Sequence, residues 1–371
     1  MVKKLTVVQM LPALESGGVE KGTLEVGCYL VQHGHRSIVI SSGGRMVAQL
    51  EREGSEHIQW PVGAKRLTTL RYIRKVRGFL ARERPDILHL RSRLPAWIGY
   101  WAWKGLPQES RPHLVTTVHG PYTPGRYSSV MVRGERVIAI SDMIREYIVR
   151  NYPWVDPNII RIIPRGVDPA AYPQGYRPPV DWLARWRAQY PQLEGKYVIT
   201  LPARLTRWKG QEDFIKIIAG LKARGLPVHG VIVGDAHPRK QYFAAELRAQ
   251  VRAAGLENEI TFTGHRSDLK EIMAVSDVVL SLSLDPEAFG RVSLEALTLG
   301  VPVAGYNHGG VGEQLAAILP EGLICVGDVG QATDLVRRWR SEPPQMPQAQ
   351  PFTLERMLND TLNVYLELTQ H

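Results

Sequence analysis

The sequence has few of the features that mark secreted or membrane-spanning proteins. It contains only two cysteines among 371 residues, Cys28 and Cys325, and they stand in opposite halves of the chain. A disulfide scaffold is therefore not expected, and a reducing compartment is the default. No run of 18 apolar residues that could span a membrane is present, and no leader pattern is visible near the start. We expect a cytoplasmic protein.

Signatures of several enzyme classes are missing as well. No group of cysteines or histidines has the spacing of a metal site, and Asp285 and Glu287 alone make a poor one. No Ser-His-Asp order suggests an acyl hydrolase, and no GxGxxG segment follows the first predicted strand. We therefore expect neither a bound metal nor another cofactor.

The positive charge is confined to one half of the chain. Residues 1–168 hold 25 Lys and Arg against 14 Asp and Glu, whereas the rest holds 21 against 22, and the net charge is +10. Part of the excess lies in residues 65–82, which predict an amphipathic basic helix. Its apolar stripe comprises Leu67, Leu70, Ile73, Val76 and Leu80. The segment is consistent with a helix packed on its own domain, with contact to an anionic membrane or acidic acceptor, or with contact to nucleic acid. No nucleic-acid motif accompanies the charge, so no nucleic-acid partner is expected.

Short apolar runs alternate with helical stretches in both halves. The predicted strands cover residues 5–11, 37–41, 87–90, 114–118 and 137–140 in the first half, and 197–201, 228–233, 260–262, 278–282 and 301–304 in the second. Continuous apolar runs suit parallel strands that are covered on both faces. The predicted fold class is therefore α/β, with two Rossmann-like, doubly wound parallel sheets that face a cleft.

The length of the chain favours two domains. We predict a first domain over residues 1–168, on the acceptor side, and a donor domain over residues 196–341. The stretch 169–195 is rich in proline, tryptophan and tyrosine, and we interpret it as the linker. A last helix, within residues 353–371, is expected to join the first domain. Since ligands bind at the carboxyl ends of parallel strands, the loops after the strands are expected to carry the chemistry.

One such loop, residues 285–295, follows the predicted strand 278–282. It contains an acid and a glycine, and the helix after it carries a second acid. Glu287 and Glu295 are separated by on the order of 12 Å at helical rise, too far for both to act on one bond as a hydrolase pair. A helix start with an exposed backbone attracts phosphate. The spacing suits one long ligand with phosphates between its ends, such as a nucleotide sugar.

Two further loops offer groups that suit a diphosphate. Arg204 and Lys209 follow the predicted strand 197–201 and can supply positive charge to a leaving diphosphate. The alternative is a pair of solvated loop cations. Gly17 and Gly18 can offer backbone N–H groups to the diphosphate or the acceptor, or they form a plain strand-to-helix turn.

These segments together resemble the retaining, nucleotide-sugar-dependent glycosyltransferases of family 4, which have the two-domain GT-B fold. The segments are Glu287-Ala-Phe-Gly-Arg-Val-Ser-Leu-Glu295, which looks like the acid-x7-acid motif of the family, Gly300-Val-Pro-Val-Ala304, Gly309-Gly-Val-Gly-Glu313, Ala203-Arg-Leu-Thr-Arg-Trp-Lys-Gly210, Ser16-Gly-Gly-Val-Glu20 and His119. Ala203 stands where glycine is common in the family. The resemblance covers nearly the whole chain.

The resemblance implies a role for each matching residue. Glu287 is expected to bind hydroxyls of the transferred sugar, and Glu295 those of the ribose, because an ionised carboxylate accepts two hydrogen bonds at once. The catalytic residues are expected to be Glu287, His119, Arg204 and Lys209. The donor-binding residues are expected to be Gly17, Gly18, Arg204, Lys209, His265, Phe289, Gly290, Arg291 and Glu295. His119 and His265 are alternatively ordinary loop positions. No metal is expected, since GT-B members of the family generally work without one.

The function implied is transfer of a sugar from a nucleotide diphosphate to a glycan or lipid-linked acceptor with retained anomeric configuration. The basic first half favours a lipid-linked or phosphorylated acceptor, as in bacterial envelope polysaccharide or lipopolysaccharide-core synthesis. It also favours a peripheral position on the inner face of the cytoplasmic membrane. Arg91 and Arg93 could meet an acidic acceptor, and Glu313 is either donor-side or a helix-start acid. The alternatives are a nucleotide-sugar epimerase, a phosphorylase of the same fold, a non-catalytic binding subunit and a nucleic-acid-binding protein.

Overall fold

The computed structural model describes residues 3–15, 17–237 and 241–370 of the chain. It divides into two compact units. The first comprises Met1–Arg165 and Glu355–His371, and the second comprises Gly166–Leu354. Each unit has one parallel sheet with helical connections, so the predicted α/β class with two doubly wound sheets is confirmed.

The first unit is built on a seven-stranded parallel sheet with the order β3-β2-β1-β4-β5-β6-β7. Its strands are β1 Thr6–Met10, β2 Arg36–Ser41, β3 Glu56–Gln59, β4 Ile87–Leu90, β5 His113–Val118, β6 Arg136–Ala139 and β7 Ile160–Ile162. Its first five helices are α1 Gly18–Gln32, α2 Val47–Arg52, α3 Arg71–Glu83, α4 Arg93–Lys104 and α5 Asp142–Asn151. The strand order reverses between β1 and β4, which is the place where doubly wound sheets bind ligands.

The second unit contains a six-stranded parallel sheet with the order β10-β9-β8-β11-β12-β13. Its strands are β8 Tyr197–Pro202, β9 Val228–Val233, β10 Ile260–Gly264, β11 Val278–Ser281, β12 Val303–Tyr306 and β13 Leu323–Ile324. Its helices are α6 Val180–Gln189, α7 Gln211–Ala223, α8 Gln241–Ala253, α9 Leu269–Ala274, α10 Arg291–Thr298, α11 Gly309–Ile318 and α12 Val329–Ser341. Here the order reverses between β8 and β11.

The last helix, α13 Leu354–Thr369, lies almost entirely in the first unit. Its Tyr365 is fully buried, and the hydroxyl lies 2.6 Å from Nδ1 of His89 in β4. Glu367 binds Arg136 and Arg161, each at 2.6 Å. The two arginines lower the pKa of Glu367 to about 2. Helix α13 is therefore attached to the first unit by both apolar and charged contacts.

The predicted linker differs from the structure. Residues 169–195 contain helix α6, whose Trp186 is buried against Val198 and Val231 of the second sheet. Trp182 stacks on Trp186 with ring centroids 5.2 Å apart. Because an aromatic helix face packs on the sheet, most of this stretch is part of the second unit and is not a free connection.

The basic segment 65–82 also differs in part. Helix α3 begins only at Arg71, after a 3₁₀ turn over Leu67–Leu70. Leu67 is 88% exposed and Leu70 is 57% exposed, so the first part of the predicted apolar stripe is not buried. Among the residues described, no helix is both long enough and apolar enough to cross a bilayer.

Candidate active site

The loops that follow β8 and β11 in the second unit lie against each other. The backbone N–H of Leu284 donates to the carbonyl of Trp208 at 2.7 Å. Gly210 has φ +74°, and a Cβ there would lie 2.6 Å from the Cβ of Leu282 and would also clash with the carbonyl oxygen of Leu282. Only glycine combines this backbone conformation with this close approach. Gly210 therefore allows the loop after β8 to lie on the loop after β11.

Lys209 and Glu287 meet where these loops touch. The Lys209 Nζ atom lies 2.7 Å from Oε1 of Glu287, and the hydroxyl of Ser283 donates to the same oxygen at 2.5 Å. Lys209 also lies over the ring of Trp208, 4.2 Å from its centroid. The two charged side chains are only 14% and 21% exposed. Since partial burial strengthens electrostatic interactions, this pair provides a cation and a carboxylate that an entering polar ligand can bind.

The Glu287 loop is braced by the next helix. Gly309 has φ +57°, and the N–H of Gly310 donates to the carbonyl of Glu287 at 2.8 Å. The amide of Gln314, fully buried in α11, donates to the carbonyls of Phe289 and Gly290. Gly290 has φ +83° and precedes the first residue of α10. The N–H groups of the first helical turn have no intrahelical partner, so this loop presents a helix start to a cavity.

That cavity is lined by residues from both loops and from the start of α10. The lining residues are Leu201, Pro202, Ala203, Lys209, Val279, Leu280, Ser281, Leu282, Ser283, Glu287, Gly290, Arg291, Val292 and Ser293. Four of the predicted site residues, Lys209, Glu287, Gly290 and Arg291, therefore share one cavity. It lies at the carboxyl ends of β8 and β11, where the strand order reverses.

Glu295 is buried in α10 and already paired. Its Oε1 atom lies 3.1 Å from Nε of Arg291. Tyr172 is hydrogen-bonded to the same carboxylate, and burial, followed by the charge of Glu295, raises the pKa of the Tyr172 hydroxyl. A ribose would therefore have to share or replace one of these partners to bind Glu295.

Other predicted residues of the second unit lie elsewhere. The Arg204 side chain is exposed, and its carbonyl accepts from the amide of Gln211 at 3.0 Å. His265 is exposed directly after β10. Phe289 is buried, with its ring edge-on to Phe352 at 5.9 Å. Glu313 belongs to α11, in its second turn. Of these side chains, none lines the cavity that Lys209 and Glu287 share.

In the first unit, the predicted glycine loop leads into α1. Ser16, which begins that motif, lies outside the described residues. Gly17 has φ +144° and caps α1, and its carbonyl accepts from the N–H of Lys21. Gly18 is the first helical residue, and a Cβ there would meet open space. The glycine pair therefore forms a helix start at the carboxyl end of β1, which fits both an N–H donor loop and a plain strand-to-helix turn.

His119 follows β5 and is held on one side only. Its Nδ1 atom lies 2.6 Å from Nη2 of Arg165. Its Nε2 atom is buried and has no hydrogen-bond partner among the described residues. Burial, and then the charges of Arg165, Arg91 and His89, lower the pKa of His119 well below its ordinary value. The ring is therefore neutral and, because Nδ1 accepts from Arg165, carries its proton on Nε2.

Arg91 does not have the role considered for it. It is 2% exposed and hydrogen-bonded to Tyr365, so its guanidinium cannot reach an acceptor in solution. Burial lowers its pKa, although an arginine stays charged in proteins. Arg93 remains accessible, with its guanidinium 4.8 Å from the ring centroid of Tyr122 and 5.2 Å from that of Tyr127.

Two descriptions of known protein families match the sequence. A model described as Glycosyltransferase Family 4 matches residues 16–171, and one described as Glycosyl transferases group 1 matches residues 184–350. The chain belongs to glycosyltransferase family 4. The predicted membership is confirmed, and with it the GT-B class of the two sheets.

The similar proteins act on different substrates. A 2-deoxystreptamine glucosyltransferase of Streptomyces kanamyceticus is 30% identical over 50% of this chain and 46% of its own length. The chain thus spans about half of that relative. An N-acetyl-alpha-D-glucosaminyl L-malate synthase of Bacillus anthracis is 26% identical over 87% of this chain and 84% of its own.

Two solved structures have the same fold. A glycosyltransferase from Rickettsia africae ESF-5 has a TM-score of 0.86 at 28% identity, and the alignment covers 99% of both chains. Anabaena HepE, solved with UDP and glucose, has a TM-score of 0.73 at 22% identity over 99% of this chain and 95% of its own. At that identity, the likeness to HepE shows that the two chains share a fold.

Sequence reasoning missed Arg165, Ser283 and Gln314. Ser283 and Gln314 touch the Glu287 loop, and Arg165 touches His119. The one available signal was that Arg165 follows a short apolar run, Ile160–Ile162, which is the edge strand β7. Over residues 3–15, 17–237 and 241–370, no group of three or more His, Cys, Asp or Glu side chains is placed to hold a metal ion.

Proposed function

We propose that the protein is a retaining glycosyltransferase that moves a hexose-like or heptose-like sugar from a nucleotide diphosphate to a hydroxyl of an acceptor. The observation that carries this proposal is the Lys209–Glu287 pair, at 2.7 Å, in the cavity at the carboxyl ends of β8 and β11. Membership of family 4 supports the reaction type. The UDP and glucose bound to HepE support a nucleotide-sugar donor.

The departing diphosphate needs positive charge as the glycosidic bond breaks. Lys209 and Arg291 are partly buried cations that line the cavity, and Arg204 is an exposed cation five residues before Lys209 in the same loop. The start of α10 after Gly290 adds backbone N–H groups, which favour a phosphate. Cations and N–H groups of this kind, placed before the reaction begins, stabilise charge as it develops.

The carboxylates and His119 would position the sugar and the ribose. Glu287 would accept hydrogen bonds from sugar hydroxyls while Ser283 and Lys209 orient it. Glu295 would accept from the ribose in place of a present partner. His119 would donate from Nε2 to the transferred sugar, because that N–H has no acceptor among the described residues. Gly17 and Gly18 would offer N–H groups at the start of α1.

No protein nucleophile is assigned in this mechanism. An oxygen of the departing phosphate would deprotonate the incoming hydroxyl on the same face of the sugar, so the anomeric configuration would be retained. The protein would contribute orientation and charge compensation. The carboxylate of Glu287, which is held by both Lys209 and Ser283, would then be a binding group and not the attacking one.

The acceptor we propose is a glycan or a lipid-linked or phosphorylated molecule at the inner leaflet, as in envelope polysaccharide or lipopolysaccharide-core synthesis. Helix α3 supports this proposal because Arg71, Arg74, Lys75, Arg77 and Arg82 all point to solvent. Each surface cation is worth about 1 kcal/mol near anionic lipid. Sedimentation with vesicles containing about 30% anionic lipid, against neutral vesicles, tests the membrane part at physiological salt. Equal binding to both would contradict it.

The reaction is tested in two steps. Thermal unfolding is measured with a panel of uridine, guanosine and adenosine diphosphate sugars, and we expect one to raise the melting temperature. A ligand at a hundredfold over its dissociation constant stabilises by about 2.7 kcal/mol. The responding donor is then incubated with candidate acceptors, and the proton coupling constant of the product's anomeric hydrogen reports its configuration.

Three results would each contradict a part of the proposal. A product with inverted configuration would exclude the retaining mechanism. Conversion of the donor sugar without any acceptor would indicate an epimerase, and dependence of turnover on free phosphate would indicate a phosphorylase. The matched control is a measurement of donor binding by the Glu287→Gln variant. This substitution keeps the shape of the cavity and changes only the carboxylate.

A further inference from the structure

His119 is a buried histidine at the carboxyl end of the first sheet, and burial lowers its pKa well below the ordinary value. The N–H of the same residue lies 3.4 Å from the hydroxyl of Tyr122, and its ring faces Arg165 at 2.6 Å. The ring nitrogen that remains, Nε2, is buried without a partner among the described residues. A buried polar atom left unpaired costs free energy. The orientation of Nε2 is therefore useful only when a ligand forms a hydrogen bond with it.

Arg165 decides which ring nitrogen carries the proton. A guanidinium only donates hydrogen bonds and stays charged. When it points at Nδ1 from 2.6 Å, that nitrogen must act as the acceptor. The proton of the neutral ring is then on Nε2, and this N–H is the group that points away from Arg165. Without Arg165, no other hydrogen bond of the ring among the described residues would oppose the other tautomer.

The position of Arg165 depends on a glycine in α1. A Cβ at Gly22 would lie 2.7 Å from Nη1 and 3.3 Å from Cζ of Arg165. Gly22 lies in the interior of the helix, where glycine costs about 1 kcal/mol relative to alanine. The missing side chain leaves the room in which the guanidinium lies. On its other side, Nη1 of Arg165 lies 3.9 Å from the sulfur of Met357 in α13.

We propose that Arg165 is a positioning residue of the site: its guanidinium, admitted by Gly22, holds His119 as the tautomer that donates from Nε2. Arg165 does not itself need to touch the substrate. The tautomer can be tested without a substrate, and only the effect on turnover rests on the proposed function.

The titratable groups around His119 come from four elements. Arg165 follows β7, Arg91 follows β4, and His89 is within β4. The hydroxyl of Tyr365 in α13 contacts His89, and Glu25 in α1 acts on Arg91 by its charge. After burial, the largest influence on the pKa of His119 is the charge of Arg165, which lowers it. Removal of that charge is expected to raise the pKa of His119.

The experiment follows the ring of His119 by 15N-edited NMR of the full chain across pH 5 to 8. In the unaltered protein we expect a single neutral form protonated on Nε2. In Arg165→Met we expect a mixture of the two neutral tautomers and protonation of the ring at a higher pH. Arg165→Lys keeps a donor and a charge, and is expected to restore the Nε2–H form.

Gly22→Ala provides an independent test that leaves both partners in place. The added methyl group should displace the guanidinium and shift the His119 signals in the same direction as Arg165→Met. Gly78→Ala is the matched control, because Gly78 is also helical and a Cβ there meets nothing within 4 Å. Its His119 signals should be unchanged.

Turnover supplies the second readout. With the donor identified, Arg165→Met should lower kcat at neutral pH by about tenfold or more with a smaller change in KM, since one misplaced donor at a developing charge costs at least that order. Unchanged His119 spectra in both Arg165→Met and Gly22→Ala would overturn the positioning role. Changed spectra with unchanged turnover would instead overturn the part assigned to His119 in the proposed function.

Discussion

The candidate site residues of the two units have opposite charge arrangements. In the second unit, each acid already has a cation: Lys209 lies 2.7 Å from Glu287, and Arg291 lies 3.1 Å from Glu295. In the first unit, the ring of His119 is neutral, and the groups that act on its charge, Arg165, Arg91 and His89, are all basic. The acids of the second unit are therefore neutralised by neighbouring cations. The first unit instead presents a neutral hydrogen-bond donor in a positive environment.

This difference indicates what each site can contribute to a ligand. A neutralised pair exchanges partners, so a phosphate can take the lysine while a hydroxyl takes the carboxylate, and neither charge is left unpaired. Breaking such a pair by substitution leaves one charge partly buried and unpaired, which is costly. The neutral Nε2–H donor of His119 lies among basic groups and has no acceptor at present. It can therefore bind an acceptor of the ligand without losing an existing hydrogen bond. The following substitutions separate these two behaviours.

The largest effect is expected from Glu287→Gln. The amide keeps the shape of the side chain but removes the charge that binds Lys209 and accepts from sugar hydroxyls. We expect kcat to fall by about 100- to 1000-fold, the order found when one group that stabilises the transition state is removed. Binding of the free nucleotide diphosphate, measured by calorimetry, should be retained or become tighter, because Lys209 is released. Loss of both properties would mean that Glu287 holds the loop and does not bind the sugar.

Lys209→Met tests the role of the cation in the Lys209–Glu287 pair. A hydrogen bond to a charged group contributes about 1.5–3 kcal/mol, so the affinity for a nucleoside diphosphate should fall by about 10- to 100-fold. The affinity for the corresponding monophosphate should fall much less. Arg207→Met is the control, because this loop arginine is paired with Glu246 at 2.6 Å and is exposed. Equal losses for diphosphate and monophosphate would contradict the assignment of Lys209 to the leaving diphosphate.

Gly210→Ala should disturb the frame of the second site through its backbone. Alanine there is strained at φ +74° and also clashes with the backbone of Leu282. Gly195→Ala introduces the backbone strain without the clash, since Gly195 has φ +69° and a Cβ there meets open space. We expect urea unfolding to show about 1 kcal/mol of destabilisation at Gly195 and about 2 kcal/mol more at Gly210. Equal values would mean that the two loops do not need their close approach.

The sequence predicted the sheets well because their strands are continuous apolar runs that the parallel fold buries on both faces. Strand β4, for example, was placed at its observed bounds. The edge strands β3, β7 and β13 were missed, since Glu56–Gln59, Ile160–Ile162 and Leu323–Ile324 are short and partly exposed. An edge strand is covered less, and so its sequence carries a weaker apolar signal.

Site residues were predicted where a local motif carries the function, and missed where function arises from packing. Glu287 and Lys209 stand in local motifs, and the structure brings them to one contact. The role of Arg165 depends on His119, 46 residues earlier, and on the space left by Gly22. No spacing rule connects three residues that meet only in the folded sheet. The roles of Arg204 and His265 stay predictions, since both side chains are exposed.

The smallest effect concerns His229, a buried histidine in the second unit that tests whether cations are needed to keep such a ring neutral. Burial is the main cause that lowers its pKa to about 4, Glu259 acts to raise it, and the charge of Lys196 lowers it by a smaller amount. Between its ordinary pKa of 6.5 and about 4, the unfolded chain binds a proton that the folded chain does not, so stability must fall as the pH falls through this window.

We therefore expect the unaltered protein to lose about 1.5 kcal/mol more stability than His229→Gln when urea unfolding at pH 7 is compared with pH 5. His265→Gln, at an exposed ring, should follow the unaltered protein. If His229→Gln loses as much stability as the unaltered protein, burial alone does not keep a ring neutral. The neutral state of His119 would then require its basic neighbours. If the expected difference appears, burial with the charge of Lys196 is sufficient, and the larger group of cations around His119 is not needed to keep its ring neutral.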